Sequence, residues 1–204
     1  MDTKSISPVD GLYGLVICGG NSMRMGMDKA LLDYHGKPQC YHIYDMLKPF
    51  CEKVYISCNE QQADGLLPGY EKLVDLPYYS NNGPVSALLT ALTYYPHKNF
   101  LFIGCDYPFL KQDDINAFIP LCRENITAAF YNEEADLFEP MLACYHQHAK
   151  HDLLNMFEAG QYSLQHFLRT VNAAKFHPAN KKAILSIDTM PAFIKTKHSM
   201  DAYK

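Results

Sequence analysis

Leu12-Tyr13-Gly14-Leu15-Val16-Ile17 runs straight into Cys18-Gly19-Gly20-Asn21-Ser22-Met23-Arg24-Met25-Gly26-Met27-Asp28-Lys29, and this junction orders the reading of the whole chain. The first six residues form an apolar run of strand length. The next twelve form a glycine-rich loop carrying two cations. A buried strand that empties into such a loop is built to hold a polyphosphate. Gly19 and Gly20 let the backbone come close to a ligand and turn its N–H groups toward oxygens. Arg24 offers a planar fork and Lys29 a compact charge. Two commoner phosphate loops are excluded. The dinucleotide fingerprint needs G-x-G-x-x-G, but the first two glycines here are adjacent. The Walker loop needs Gly-Lys followed by Ser or Thr, but Gly26 is followed by Met27, Asp28 and Lys29.

Outward from this junction, strand-like and helix-like runs alternate. Pro38 to Leu47 reads as a helix with proline in its first turn. Lys53 to Ser57 and Leu73-Val74 read as short strands, and Gly83-Pro84 opens a helix from Val85 to Tyr95 that Pro96 ends. Phe100 to Gly104 is wholly apolar, as a strand covered on both faces should be. Lys111 to Glu124 is helical, with Ile115, Phe118, Ile119 and Cys122 on one face. Thr127 to Tyr131 and Met141 to Tyr145 are further strands. Two helices separated near Gly160 follow, and a last one starts at Pro191. Alternation of this kind predicts one α/β domain over 1–204, with three α/β/α layers around a mainly parallel sheet and a flexible tail over residues 1–10.

The chain has 204 residues, 48% hydrophobic and 20% charged, with a formal net charge of -4. The absence of a basic block gives no support for nucleic-acid binding. Met1 to Val9 is polar, and no stretch is long and apolar enough to span a bilayer. Seven cysteines with no C-x-x-C pair point to a reducing cytoplasm rather than a disulfide framework. Cys144, His146, His148 and His151 suggest a metal cluster at first sight, but no second group in the sequence completes a tetrahedral set.

Residues 18 to 29 resemble the loop L-A-G-G-x-S-x-R-M-G-x-D-K of nucleotidyltransferases, and most of all that of the molybdenum cofactor guanylyltransferases, with Cys18 in place of Ala. The resemblance runs from about Leu12 to Phe193. It is specific at 18–29 and 105–108 and loose beyond residue 150. It implies a Rossmann-like nucleotide-diphospho-sugar transferase fold with a mixed sheet. It also implies transfer of GMP from GTP to the phosphate of molybdopterin with release of pyrophosphate, and transient contact with molybdopterin-handling or molybdoenzyme-maturation proteins. The alternatives are the same chemistry with CTP or with a sugar phosphate, or a nucleotide-binding regulator without turnover.

Asp106 directly follows the apolar strand Phe100 to Cys105, where open α/β sheets bind their ligands. A carboxylate there is either a hard-oxygen ligand for Mg²⁺ or a helix cap. The family carries C-D-x-P at this point, its Asp holding magnesium, and Tyr107 here replaces a frequent Thr. The resemblance thus assigns catalysis to Arg24, Lys29 and Asp106. Nucleotide binding falls to Cys18, Gly19, Gly20 and Lys29, with Asn59, Asp75 and Gly83 toward base and ribose. Read on their own, Asn59 and Asp75 are equally turn residues, and Gly83-Pro84 is equally a helix opening. Near the C-terminus, Ser186-Ile187-Asp188-Thr189-Met190-Pro191 departs from the family's N-x-N-T-P by an insertion and the loss of both asparagines. Asp188 is a candidate second metal ligand, or a cap ahead of Pro191. Glu139-Pro140-Met141 resembles a segment lining the acceptor pocket. Tyr162 stands where the family's G-x-R-S-L has its Arg.

Overall fold

A computed structural model describes residues 7–18, 29–124 and 126–201. Most of the glycine-rich loop, including Gly19, Gly20 and Arg24, lies outside the described residues. Seven strands form one sheet: β1 (Val9–Ile17), β2 (Cys51–Cys58), β3 (Lys72–Val74), β4 (Asn99–Gly104), β5 (Ala128–Asn132), β6 (Leu137–Tyr145) and β7 (Ala174–Phe176). Their order is β3-β2-β1-β4-β6-β5-β7. Only β6 runs against the rest, pairing antiparallel with β4 and β5. The sheet is therefore mixed and mostly parallel, as expected. β1 opens at Val9, so the last two residues of the expected tail are strand, and the Val9 N–H donates to Phe50 O at 2.9 Å.

Strand alternation builds two cores from one sequence, because successive side chains point to opposite faces. Leu12, Val16, Leu101 and Ile103 pack with α1 (Gln39–Leu47) and α4 (Gln112–Cys122). Tyr13, Leu15, Ile17, Phe100 and Phe102 pack on the other face, with α3 (Pro84–Tyr94), α5 (Ala149–Glu158) and α6 (Leu164–Thr170). β4 has no solvent-facing side from Phe100 to Ile103, which explains its unbroken apolar run. A third, smaller cluster forms at one end. Leu32, Tyr34 and Ile187 pack there with Met190 and Phe193 of α7 (Met190–Asp201).

Besides two short 3-10 turns, at Lys29–Leu31 and Lys181–Ile184, one α-helix and one strand have no counterpart in the sequence reading. One is α2 (Glu60–Ala63), a single turn whose start is capped by Asn59. The other is β7, three residues whose apolar content is too slight to mark a strand. The strand expected over Met141 to Tyr145 begins earlier, at Leu137.

Candidate functional site

The sheet order places a topological switch between β1 and β4. The chain leaves β1 for β2 and β3 on one side, then crosses back to β4 on the other. Ligands of open α/β sheets bind outside the carboxyl ends of such a pair. Both strand ends are present here. Cys105 N–H donates to Ile17 O at 3.2 Å, and the Cys18 and Cys105 sulfurs lie 3.7 Å apart in the interior. Loop 19–28 leaves from this point, and Asp106 follows one residue after Cys105.

The cap of α4 does not fall to Asp106. Asp114 takes the cap of α4, its Oδ2 accepting from Lys111 N–H at 2.9 Å. Asp106 is partly buried as a residue, yet its Oδ1 is shut off from solvent and has no hydrogen-bond partner among the described residues. Burial, with a smaller push from Asp188, raises its carboxyl to about 6; Lys29 opposes this. An orphaned, buried carboxylate oxygen is costly unless a cation completes it. The residues therefore fit a hard divalent ion. Among the described residues no group of three or more His, Cys, Asp and Glu could hold a metal. An ion on one or two carboxylates usually completes its shell with water and substrate oxygens.

Gly104 explains how the carboxylate fits. A Cβ at this position would lie 2.6 Å from Asp106 Oδ1 and 3.1 Å from both Cβ and Cε of Met141. The glycine at the end of β4 leaves the space the carboxylate occupies. A glycine closing an otherwise bulky strand is the signal that sequence reading passed over.

The C-terminal segment folds over this end of the sheet. Ile187 N–H donates to Asp106 O at 2.8 Å. Tyr34 packs edge-on against Phe193 with ring centroids 4.9 Å apart, and Lys197 Nζ donates to Asp33 O at 2.7 Å. The result is an ion pair across 159 residues of sequence: Lys29 Nζ donates to Asp188 Oδ1 at 2.6 Å. Ser186 Oγ donates to the other Asp188 oxygen at 3.1 Å. Burial, then the charges of Asp106 and Asp188, pushes the Tyr34 phenol upward. Asp188 thus stands beside Asp106 and in contact with Lys29, and the structure brings three of the candidate residues together.

Asn59, Asp75 and Gly83 meet in a separate part of the same edge. They line a cavity of about 190 Å³ together with Ser57, Asn81 and Ser86. Asp75 is raised to about 6 by burial, while Ser57 Oγ donates to its Oδ1 at 3.1 Å and eases it down. Ser57 is a functional candidate that no sequence pattern marked. Asn59 Oδ1 accepts from the Gln62 N–H at 2.8 Å, so the turn role is present in addition to its place in the cavity wall. Gly83 has φ 73°, a conformation that side chains rarely adopt, and Pro84 opens α3 directly after it. On the other side of Asp106, Tyr107 donates its hydroxyl to Glu139 Oε2 at 3.0 Å. Burial holds the Glu139 carboxyl above its ordinary range.

The family profile described as "MobA-like NTP transferase domain" matches residues 14–177, most of the sheet including the carboxyl ends of β1 and β4. The chain belongs to the MobA-like NTP transferase family. Among its relatives, the molybdenum cofactor guanylyltransferase of Pseudomonas entomophila is 31% identical over 158 residues, covering 74% of this chain and 78% of that protein. The molybdenum cofactor biosynthesis bifunctional protein of Synechocystis is 41% identical over 134 residues, 65% of this chain. That match spans only 38% of the Synechocystis protein's own length. In structure, the chain is similar to molybdopterin-guanine dinucleotide biosynthesis protein A from Archaeoglobus fulgidus, with a TM-score of 0.75, 20% identity, and coverage of 93% and 99% of the two chains. That likeness shows the fold. MobA-like transferases are nucleotidyltransferases that generally use a divalent metal, and among the described residues no helix is long and apolar enough to cross a membrane.

Proposed function

We propose that the chain transfers GMP from GTP to the terminal phosphate of molybdopterin and releases pyrophosphate, in the cytoplasm, with Mg²⁺ as its metal. The observation that carries the reading is the Asp106 carboxylate at the β1–β4 switch, its buried Oδ1 without a hydrogen-bond partner among the described residues, and the Lys29 cation near enough to lower its pKa. Asp106 would hold the ion, with Asp188 as the candidate second carboxylate. When bound, the ion neutralises charge on the nucleotide phosphates.

The chain's own part is positioning and charge compensation. A phosphate oxygen of the acceptor forms a bond to the α-phosphorus of GTP as the bond to the β-phosphate bridging oxygen breaks. The acceptor is already an anion, so no general base is needed. Lys29 and Arg24 balance charge on the triphosphate and the departing pyrophosphate. Lys29 must let go of Asp188 to do so; an ion pair with one member 57% exposed is weakly held, so the exchange costs little. Gly19 and Gly20 bring backbone N–H groups to the phosphates, Cys18 seats the start of that loop, and Gly83 lets the nucleotide approach α3. In the neighbouring cavity, Asp75 accepts from guanine N1–H and the exocyclic amine, with Asn59 toward the ribose. Transient contact with molybdopterin-handling proteins delivers the acceptor.

Thermal unfolding with GTP, CTP, ATP and UTP, each with and without Mg²⁺, tests this. A ligand at a hundred times its Kd adds about 2.7 kcal/mol, a shift of several degrees for a chain of this size. A magnesium-dependent shift specific to GTP, followed by pyrophosphate release when molybdopterin is added, is the expected result. Preference for CTP would reassign the base, and no shift with any nucleotide would overturn the reading.

A further inference from the structure

Two large exposed aromatic side chains share one buried neighbour. Tyr78 is 69% and Tyr162 is 41% exposed, and both touch Phe157, which is 8% exposed. Ring centroids lie 5.1 Å apart for Phe157 and Tyr162 and 6.1 Å apart for Phe157 and Tyr78. Tyr79 meets Phe157 edge-on at 5.4 Å. Phe157 lies near the end of α5, after which Gly160 turns the chain at φ 75° and Gln161 N–H closes back on Met156 O at 3.0 Å.

The placement of this cluster is specific. Tyr78 and Tyr79 immediately precede Ser80 and Asn81, which line the nucleotide cavity with Gly83. Ser163, next to Tyr162, caps α6. The Gln165 amide, with its oxygen and nitrogen assigned from the hydrogen-bond network, donates to Phe138 O at 3.0 Å and accepts from Phe138 N at 3.2 Å. Residue 138 precedes Glu139, whose carboxylate faces Tyr107 beside Asp106. The ring contacts thus join the loop of the nucleotide cavity to the loop docked on the head of β6, next to the metal-side carboxylate.

We propose that Tyr162, backed by Phe157 and flanked by Tyr78, is the face on which the pterin ring system of the acceptor stacks. The inference rests on the guanylyl-transfer reading for the identity of the acceptor. A planar conjugated heterocycle is held by an aromatic face without any specific hydrogen-bond pattern. Buried Phe157 backs the exposed Tyr162 ring and leaves its outer face open. Tyr162 is also where the sequence departs from the family's Arg, so the chain trades a cation for a flat ring at this position.

The test uses the whole protein and two probes. Quenching of 6-hydroxymethylpterin fluorescence, without nucleotide, reads stacking directly. Steady-state transfer reads KM for molybdopterin and for GTP separately. Tyr162→Ala should weaken pterin binding and raise the molybdopterin KM, each about tenfold or more, with the GTP KM within twofold of the parent. Tyr162→Phe should keep both, since the ring face remains, and Tyr78→Ala should show a smaller loss of the same kind. Unchanged pterin binding in Tyr162→Ala would overturn the proposal. So would equal damage from Phe and Ala, or a rise in the GTP KM instead, which would make the rings a guanine contact. If the parent protein transfers nothing from GTP, the functional reading fails, and the fluorescence titration still decides the platform.

Discussion

Gly104→Ala is expected to damage the reaction by displacing Asp106, although Gly104 has no side chain to contact substrate. The new Cβ would sit 2.6 Å from Asp106 Oδ1, so the carboxylate must retreat by about 0.8 Å to reach ordinary van der Waals distance. Met141 Cε can swing away from its 3.1 Å approach, but Met141 Cβ is fixed in place by the β6 backbone and cannot. The strand conformation at Gly104 is not one that demands glycine, so the effect is steric and local. A displacement near 1 Å of a group that aligns a reaction costs roughly a hundredfold, or about 2.7 kcal/mol of transition-state stabilisation. Overpacking adds about 1–3 kcal/mol of lost stability. The assay is pyrophosphate release at saturating GTP and Mg²⁺, beside a thermal unfolding scan. The expected result is a folded protein, a few degrees less stable, with kcat reduced about a hundredfold and GTP binding at the Asp75 cavity little changed. Adding Asp106→Asn to this background should cost far less than it does alone, because both changes act on one carboxylate. A folded Gly104→Ala protein with kcat within threefold of the parent would refute the argument.

Lys29→Ala should lower kcat thirtyfold or more, about 2 kcal/mol, while the unfolding midpoint barely moves, because its pair with Asp188 is solvent-exposed. A large loss of stability would make Lys29 structural instead. Ser57→Ala should raise the GTP KM severalfold at constant kcat, since it frees Asp75 Oδ1 from the hydroxyl that orients it; Ser57→Thr should restore it, and an unchanged KM would show that Asp75 needs no such guide. Asp106→Asn should abolish transfer yet stabilise the free protein at neutral pH. Burial lifts the folded carboxyl to about 6 from 3.8, so the folded state holds its proton where the unfolded chain has lost it. The contribution of this group to stability therefore falls as pH rises from about 4 to 6. The Asn variant should melt above the parent at pH 7.5 and converge with it near pH 4; an equal offset at both pH values would contradict this.

Several features of the molecule are legible in local pattern. An apolar run leading into Gly19-Gly20 predicts a buried strand with a phosphate loop, and β1 is that strand. The unbroken Phe100 to Ile103 segment predicts a strand covered on both faces, and Asp106 at its end falls at the ligand edge. Gly83-Pro84 predicts the start of α3. These readings succeed because burial on two faces, backbone freedom at glycine and the fixed φ of proline act over a few residues. What sequence left open depends on contacts between distant segments. The antiparallel course of β6 and the three residues of β7 are set by which strands they pair with. Asp188 meets Lys29 only because Tyr34, Ile187 and Phe193 bury one another at the end of the sheet. The vacancy at Gly104 acquires meaning from the Asp106 and Met141 atoms around it, and the Tyr162 face from Phe157 behind it. Local chemistry determined which residues can serve at the site. Packing between segments far apart in the chain, driven by burial that no short window of sequence records, decided which of them meet.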